Sequence, residues 1–165
     1  MRIGLITDTH IPDVARELPP EVAEIFKGAD LILHAGDIYS VSVLDDLQQI
    51  APVKAAMGDD DSTMLLRDER VETKHILNLE GHTIWLVHER PYIYRYSPEK
   101  NDGLPDIIIH GHSHAADIRQ YGKTLIIGSG SPTFLHYRRE PGTVAILEIG
   151  PEGPQASIVK LQKDQ

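Results

Sequence analysis

Residues 2–10, Arg2-Ile3-Gly4-Leu5-Ile6-Thr7-Asp8-Thr9-His10, set the terms for the whole chain. Ile3, Leu5 and Ile6 make a short apolar run of the kind a buried strand needs, and Asp8 stops it. A carboxylate and an imidazole two positions apart then stand just past the strand's C-terminal end. The arrangement recurs. A strand at 30–35 leads through Gly36 to Asp37, and one at 52–57 leads through Gly58 to Asp59, Asp60 and Asp61. A strand at 82–87 runs into His88, and a β-branched run at 106–110 leads through Gly111 to His112 and His114. Ligands of open α/β sheets bind beyond the carboxyl ends of strands, so five strands that each end in Asp or His can converge on one pocket.

Between the early strands lie helix signals. Pro19-Pro20 opens a helix over 21–27, with Val22, Ile25 and Phe26 on one face and Gly28 ending it. Residues 41–50 fit an amphipathic helix with Val43, Leu44 and Leu47 inward, and 63–67 fits one short helical turn. The first half therefore reads as parallel βαβ units. The second half reads as antiparallel hairpins: 75–79 with 82–87 around Glu80-Gly81, 116–121 with 123–127 around Tyr121-Gly122, and 143–149 with 156–161 across a Gly/Pro-rich turn. Two packed mixed sheets with helices outside satisfy both halves. With no repeat and no linker, residues 1–165 are expected to form a single domain. Residues 90–105 are the least regular stretch, and a long irregular segment in a compact domain is often functional or mobile.

A chain of 165 residues, 41% hydrophobic, can bury its own core. Its formal net charge of −9 argues against a broad nucleic-acid surface or an anionic membrane partner. It does not exclude an anionic substrate, because bound metal charge can outweigh a negative surface. The absence of cysteine removes disulfides, zinc–thiolate sites and thiol nucleophiles. The chain enters its first strand directly after Met1, without a signal-like or long apolar segment, so a cytoplasmic location is expected. A homo-oligomer remains open.

Carboxylates and imidazoles without thiolate suit divalent Mn, Fe, Co, Ni or Zn. Two ions about 3.5–4 Å apart need a bridging ligand, and a carboxylate can bridge. His112 and His114 would point to opposite faces of an extended strand, but in a loop past a strand they can reach two neighbouring ions. Each residue alone has a plainer reading: an Asp after a strand is usually a turn former or cap, and a His there is usually hydrogen-bonded. The set together is hard to explain that way. His34, His75, His82, His110 and His136 keep the plain reading, with His34 and His110 near enough to support ligands from behind.

Asp8-Thr9-His10, Gly36-Asp37, Gly58-Asp59-Asp60-Asp61, His88 and Gly111-His112-Ser113-His114 together resemble, in order, the motifs of the calcineurin-like metallophosphoesterase superfamily. Gly128-Ser129-Gly130-Ser131 looks like that family's Asn-Pro-Gly-Ser segment, and the single-domain size points to its small prokaryotic phosphodiesterases. The resemblance implies a four-layer α/β/β/α sandwich and two divalent ions, manganese first, with nickel, iron, cobalt, zinc or magnesium as alternatives. It implies that Asp8, His10 and His114 hold one ion, that Asp59, His88 and His112 hold the other, and that Asp37 bridges. The implied reaction is in-line attack on a small phosphate ester by a metal-bridging hydroxide.

The chain departs from that pattern in three places. Asp59 stands where the family usually has Asn, Asp60 where it usually has His or Cys, and Glu89 where it usually has Gly after the histidine. Asp60 is then the candidate proton donor to the leaving group. A carboxylic acid of ordinary pKa, about 3.9, donates poorly at neutral pH, which favours esters with good leaving groups. The retromer scaffold subunit, related to these enzymes, shares the Asp-for-Asn change and is regarded as an interaction protein. A metal-binding interaction module is therefore one alternative, and a phosphomonoesterase is another. Arg90, Tyr92, Tyr94, Arg95 and Tyr96 could form a substrate rim, although a surface hairpin or subunit contact is the preferred reading. Arg138-Arg139 could reach phosphate, with a solvated pair as the default.

Overall fold

The computed structural model describes residues 1–96, 103–133 and 142–161. His136, Arg138, Arg139, the side chain of Tyr94 and residues 97–102 of the irregular segment lie outside the described residues.

The chain begins β1 (Arg2–Ile6), α1 (Glu21–Phe26), β2 (Leu31–His34), α2 (Val41–Gln48), β3 (Val53–Ala56), a 3₁₀ turn (Thr63–Arg67) and β4 (Val71–Glu72). It continues through β5 (His75–Leu79), β6 (His82–Leu86), a second 3₁₀ turn (Ile93–Arg95), β7 (Ile107–His110), β8 (Ala116–Tyr121), β9 (Thr124–Ser129), β10 (Thr143–Gly150) and β11 (Gly153–Lys160). Six strands form one sheet in the order β11-β10-β1-β2-β3-β4, and five form a second in the order β5-β6-β7-β9-β8.

In the first sheet β1, β2, β3 and β4 are parallel, and β10 and β11 join antiparallel. In the second, β6, β7 and β9 are parallel, with β5 and β8 antiparallel at the two edges. The hairpins expected in the second half exist as β5–β6, β8–β9 and β10–β11, and the second sheet is mixed as expected, with β6, β7 and β9 as its parallel core. That core aligns the C-terminal ends of β6 and β7 as the first sheet aligns those of β1, β2 and β3. The two-residue β4 was not anticipated, being too short to leave a periodic signal.

The layers follow from alternation along the strands. Ile3, Leu5, Leu31, Leu33 and Leu147 of the first sheet meet Ile84, Leu86, Ile107, Ile109 and Ile127 of the second, forming the core between the sheets. The opposite face of the first sheet, through Ile6, Ile32 and Val53, packs against Val22 and Phe26 of α1 and Val43, Leu44 and Leu47 of α2. Ser40 caps α2 by accepting the Ser42 N–H. The outer face of the second sheet is covered differently. Ile93 and Leu104 bury against Ile108 and Ile126, with Trp85, Tyr96 and Tyr121 around them. The fold is the expected α/β/β/α sandwich, but among the described residues its outermost layer is one 3₁₀ turn and loop. Tyr96 belongs to that apolar cover, with its carbonyl accepting the Tyr121 hydroxyl at 3.0 Å, rather than to a substrate rim.

Candidate metal centre

The C-terminal ends of β1, β2, β3, β6 and β7 meet at one place, and they bring all seven sequence-predicted ligand residues into two adjoining groups. Ligand atoms of Asp8, His10, Asp37 and His114 lie within 4.8 Å of one another, as do those of Asp59, His88 and His112. In the first group, His10 Nε2 is 3.3 Å from His114 Nε2, and His114 Nε2 is 3.4 Å from Asp8 Oδ1. In the second, Asp59 Oδ1 is 2.6 Å from His88 Nε2 and 3.1 Å from His112 Nδ1. Asp37 links them: its Oδ2 is 3.6 Å from His10 Nε2 and 3.5 Å from His88 Nε2. Asp60 stands outside both groups. Its backbone N–H donates to Asp37 Oδ1 at 3.2 Å, and its carboxylate accepts the Tyr39 hydroxyl at 3.5 Å.

The backbone is bent to make this possible. Asp8, His10, Asp37, His112 and His114 all have φ between 46° and 68°, a region that non-glycine residues seldom enter. Strained residues of this kind cluster at functional sites. Backbone hydrogen bonds hold the bends: Asp8 N–H to Gly36 O, His10 N–H to Asp37 O and Gly111 N–H to His88 O, all at 2.9–3.0 Å. Close approach explains two glycines. A Cβ on Gly58 would drive into the Asp37 carboxylate, and one on Gly111 would lie 2.8 Å from Asp8 Oδ2.

The electrostatics call for cations. Among the described residues, Asp8, Asp37 and Asp59 form ion pairs only with imidazoles, never with Lys or Arg. Burial above all raises the Asp37 pKa to about 6, helped by Asp8 and Asp59 and opposed by His88 and the Asp60 N–H. Burial would also raise Asp8, but its contacts with His114 and His88 outweigh this and hold it below the ordinary carboxylate value. Burial lowers His10, keeping it in the neutral, ligating form. For His88, burial would lower the pKa, but Asp37, the Ala35 carbonyl, Asp8 and Asp59 prevail and raise it.

His88 also carries the clearest ligand geometry. Its Nδ1 donates to the Ala35 carbonyl at 2.8 Å, which in the neutral ring leaves the lone pair on Nε2. That atom is buried without a hydrogen-bond partner, although Asp59 Oδ1 lies 2.6 Å away. A lone pair converging with carboxylate oxygens is the donor set a divalent metal takes. The residues fit the ions the sequence implies.

Three other histidines keep structural work. His34 accepts the Gly36 N–H at Nδ1, so its Nε2 proton goes to Thr9 Oγ1 at 3.1 Å. Full burial drops its pKa to about 4. His75 Nε2 pairs with the Ala55 carbonyl at 2.9 Å, and His110 faces Asp117 at 3.6 Å. Four supports had no role assigned from the sequence, although Asp61 and Ser131 lie within its family-like motifs. Asp61 is the buried member of the Asp triplet; it accepts N–H bonds from Ile38, Tyr39 and Gly58, each at 2.8 Å, and so clamps two ligand loops together. Ser131 Oγ donates to Asp8 O at 2.7 Å and Thr133 Oγ1 to Thr9 O at 2.6 Å. Tyr39 packs edge-on against the His10 ring at 4.8 Å.

Fold and site together define a metallophosphoesterase: the chain belongs to the calcineurin-like phosphoesterase superfamily, whose domain matches residues 1–152. It is 34% identical over 166 residues to a probable metallophosphoesterase of Methanothermobacter thermautotrophicus, covering 97% of this chain and 92% of that one. It is 23% identical over 144 residues to a phosphodiesterase of Methanocaldococcus jannaschii, covering 79% of this chain and 83% of that one. Among solved structures, an archaeal phosphodiesterase superposes with a TM-score of 0.73 at 21% identity, over 96% of this chain and 100% of that one. Zinc-bound Vps29 of Entamoeba histolytica superposes with a TM-score of 0.72 at 20% identity, over 97% and 99%. Both structures share the fold. No helix among the described residues is long and apolar enough to cross a membrane.

Proposed function

We propose that the chain is a two-metal-dependent phosphodiesterase acting on a small phosphate ester. The supporting observation is the position of Asp37 Oδ2, within 3.6 Å of a nitrogen from each ligand group. Asp8, His10 and His114 would hold one ion, Asp59, His88 and His112 the other, and Asp37 both, with manganese the first candidate. Two divalent ions, when bound, lower the pKa of a coordinated water and neutralise charge on phosphoryl oxygens.

The chain supplies the rest. Its strained loops fix the ligands before substrate arrives, which limits reorganisation during the reaction. Asp60, tethered through its backbone to Asp37, is the candidate proton donor to the leaving oxygen. Three carboxylates against two divalent ions leave one positive charge, where Asn at position 59 would leave two. A monoanionic diester is penalised less by that loss than a dianionic monoester.

Purified protein loaded with Mn²⁺ is therefore expected to hydrolyse bis-p-nitrophenyl phosphate faster than p-nitrophenyl phosphate at equal concentration, and EDTA should remove both activities. If fully loaded protein turns over neither compound, the phosphodiesterase reading fails and a metal-binding interaction module becomes the better one.

A further inference from the structure

Beside the ligand groups lies an open cavity of about 420 Å³, lined by Pro12, Asp13, Tyr39, Asp60 and Ser62. Two of its walls touch the metal centre directly. Tyr39 packs its ring edge-on against His10, and Asp60 donates its N–H to Asp37 Oδ1. A phosphoryl group seated on the ligands would therefore have one ester arm within reach of this cavity.

The lining has one electrostatic character. It offers the Asp13 and Asp60 carboxylates, a phenol and a hydroxyl, with no Lys, Arg or His side chain. Among the described residues neither carboxylate is paired with a cation. Tyr39 is held in place, its backbone N–H bonded to the buried Asp61 carboxylate at 2.8 Å. An aromatic ring and a carboxylate lining one cavity make a chemical environment that attracts an ammonium group and repels an anion.

We propose that this cavity receives the alcohol portion of the substrate and selects a cationic alcohol, such as an amino or quaternary-ammonium alcohol, over neutral or anionic ones. The inference deepens the phosphodiesterase reading by naming a substrate class, and Tyr39 and Asp13 are its specificity-determining residues. Metal charge responds to the phosphate and not to the alcohol it carries, so discrimination among alcohols must come from a wall such as this one.

Binding can be measured without turnover. Calorimetry on Mn²⁺-loaded protein compares phosphocholine with its uncharged isostere, 3,3-dimethylbutyl phosphate. Phosphocholine is expected to bind about tenfold more tightly at low salt, with the ratio falling as salt rises. Asp13 is exposed, so Asp13→Asn should fold normally, and it should bring the ratio below about threefold. Tyr39→Leu should lower the ratio as well. Equal or weaker binding of phosphocholine, no binding of either compound, or a ratio unchanged in Asp13→Asn would each overturn the proposal. Loaded protein that shows the preference but hydrolyses no diester refutes the phosphodiesterase reading alone. Protein that hydrolyses bis-p-nitrophenyl phosphate without the preference refutes this inference alone.

Discussion

The two halves of the metal centre are built in different ways. Asp8, His10 and Asp37 are buried, and His114 is the only half-exposed member of their group. All four have left-handed backbone. In the other group His88 is buried, but the side chains of Asp59 and His112 are 60% and 49% exposed, and only His112 has positive φ. The buried half is fixed by the backbone and by the hydrogen bonds that lace its loops. The exposed half is completed by side chains that can turn toward an ion. Order in the first and adjustability in the second suit a site that must hold metal and still admit substrate.

Removing one imidazole from each half tests this contrast most severely. Loss of an outer partner of a metal ligand typically costs about 10–100-fold in affinity or activity, so loss of a ligand should cost more. His114→Ala and His112→Ala are each expected to reduce diester hydrolysis by more than about a hundredfold at modest Mn²⁺. They should differ in rescue. Excess Mn²⁺ should restore much of the activity of His112→Ala, because water can take the place of an exposed ligand. It should not restore His114→Ala. Metal content and rates measured across a Mn²⁺ titration decide the matter. Equal rescue of both variants would remove the distinction between the halves.

The buried half also predicts how the metal-free protein responds to pH. The Asp37 pKa rises from 3.8 to about 6, chiefly through burial. A raised carboxyl contributes stability that is fully present below about 3.8 and is lost as pH rises through about 6. In EDTA at pH 7.5, Asp37→Asn should therefore be more stable than the native chain by about 1–3 kcal/mol. The gain should shrink as pH falls from 6 toward 4. Asn keeps an oxygen for the Asp60 N–H, so the comparison isolates charge. Urea denaturation at several pH values reads the difference. A variant less stable than the native chain at pH 7.5 would show that the buried charge is already compensated by its imidazole neighbours.

The same contrast explains what could be read from the sequence. The places of Asp8, Asp37, His88, His112 and their companions were legible because an apolar strand that ends abruptly in Asp or His leaves a visible break. The α/β character, the two α-helices and the 3₁₀ turn at Thr63–Arg67 were legible from periodicity and caps. The supports were not. Ser131 lies in the segment that resembles Asn-Pro-Gly-Ser, but it and Thr133 hold carbonyls of Asp8 and Thr9 from more than a hundred residues away, and a hydroxyl aimed at a distant carbonyl does not announce its target locally. Asp61 follows two other aspartates, and nothing in the triplet says which member turns inward. Strand order was hidden for a related reason. The β8–β9 hairpin was readable, but β9 pairs with β7 on its other side through contacts that local turns do not encode.

The mildest perturbation bears on the exposed half alone. Asp59 shares its Oδ1 between His88 and His112; burial would raise its pKa, but its own backbone N–H and these two imidazoles together outweigh this and lower it. Asn can offer a carbonyl oxygen at the same place without the charge. Two divalent ions against Asp8, Asp37 and Asp59 leave one positive charge, and Asp59→Asn leaves two. An anionic phosphoryl group then meets a more attractive centre, while the ions lose part of their hold on the exposed side. With occupancy kept full by excess Mn²⁺, kcat/KM for bis-p-nitrophenyl phosphate is expected to rise about 3–10-fold, the equivalent of roughly 1 kcal/mol. The rise should be larger for the dianionic p-nitrophenyl phosphate, because each added charge on the substrate gains from the same change. Raising the salt should erode both gains, since this half of the site faces solvent. If Asp59→Asn at full occupancy leaves both rates unchanged or lower, the carboxylate is needed to keep His88 and His112 aligned, and its charge does not limit the reaction.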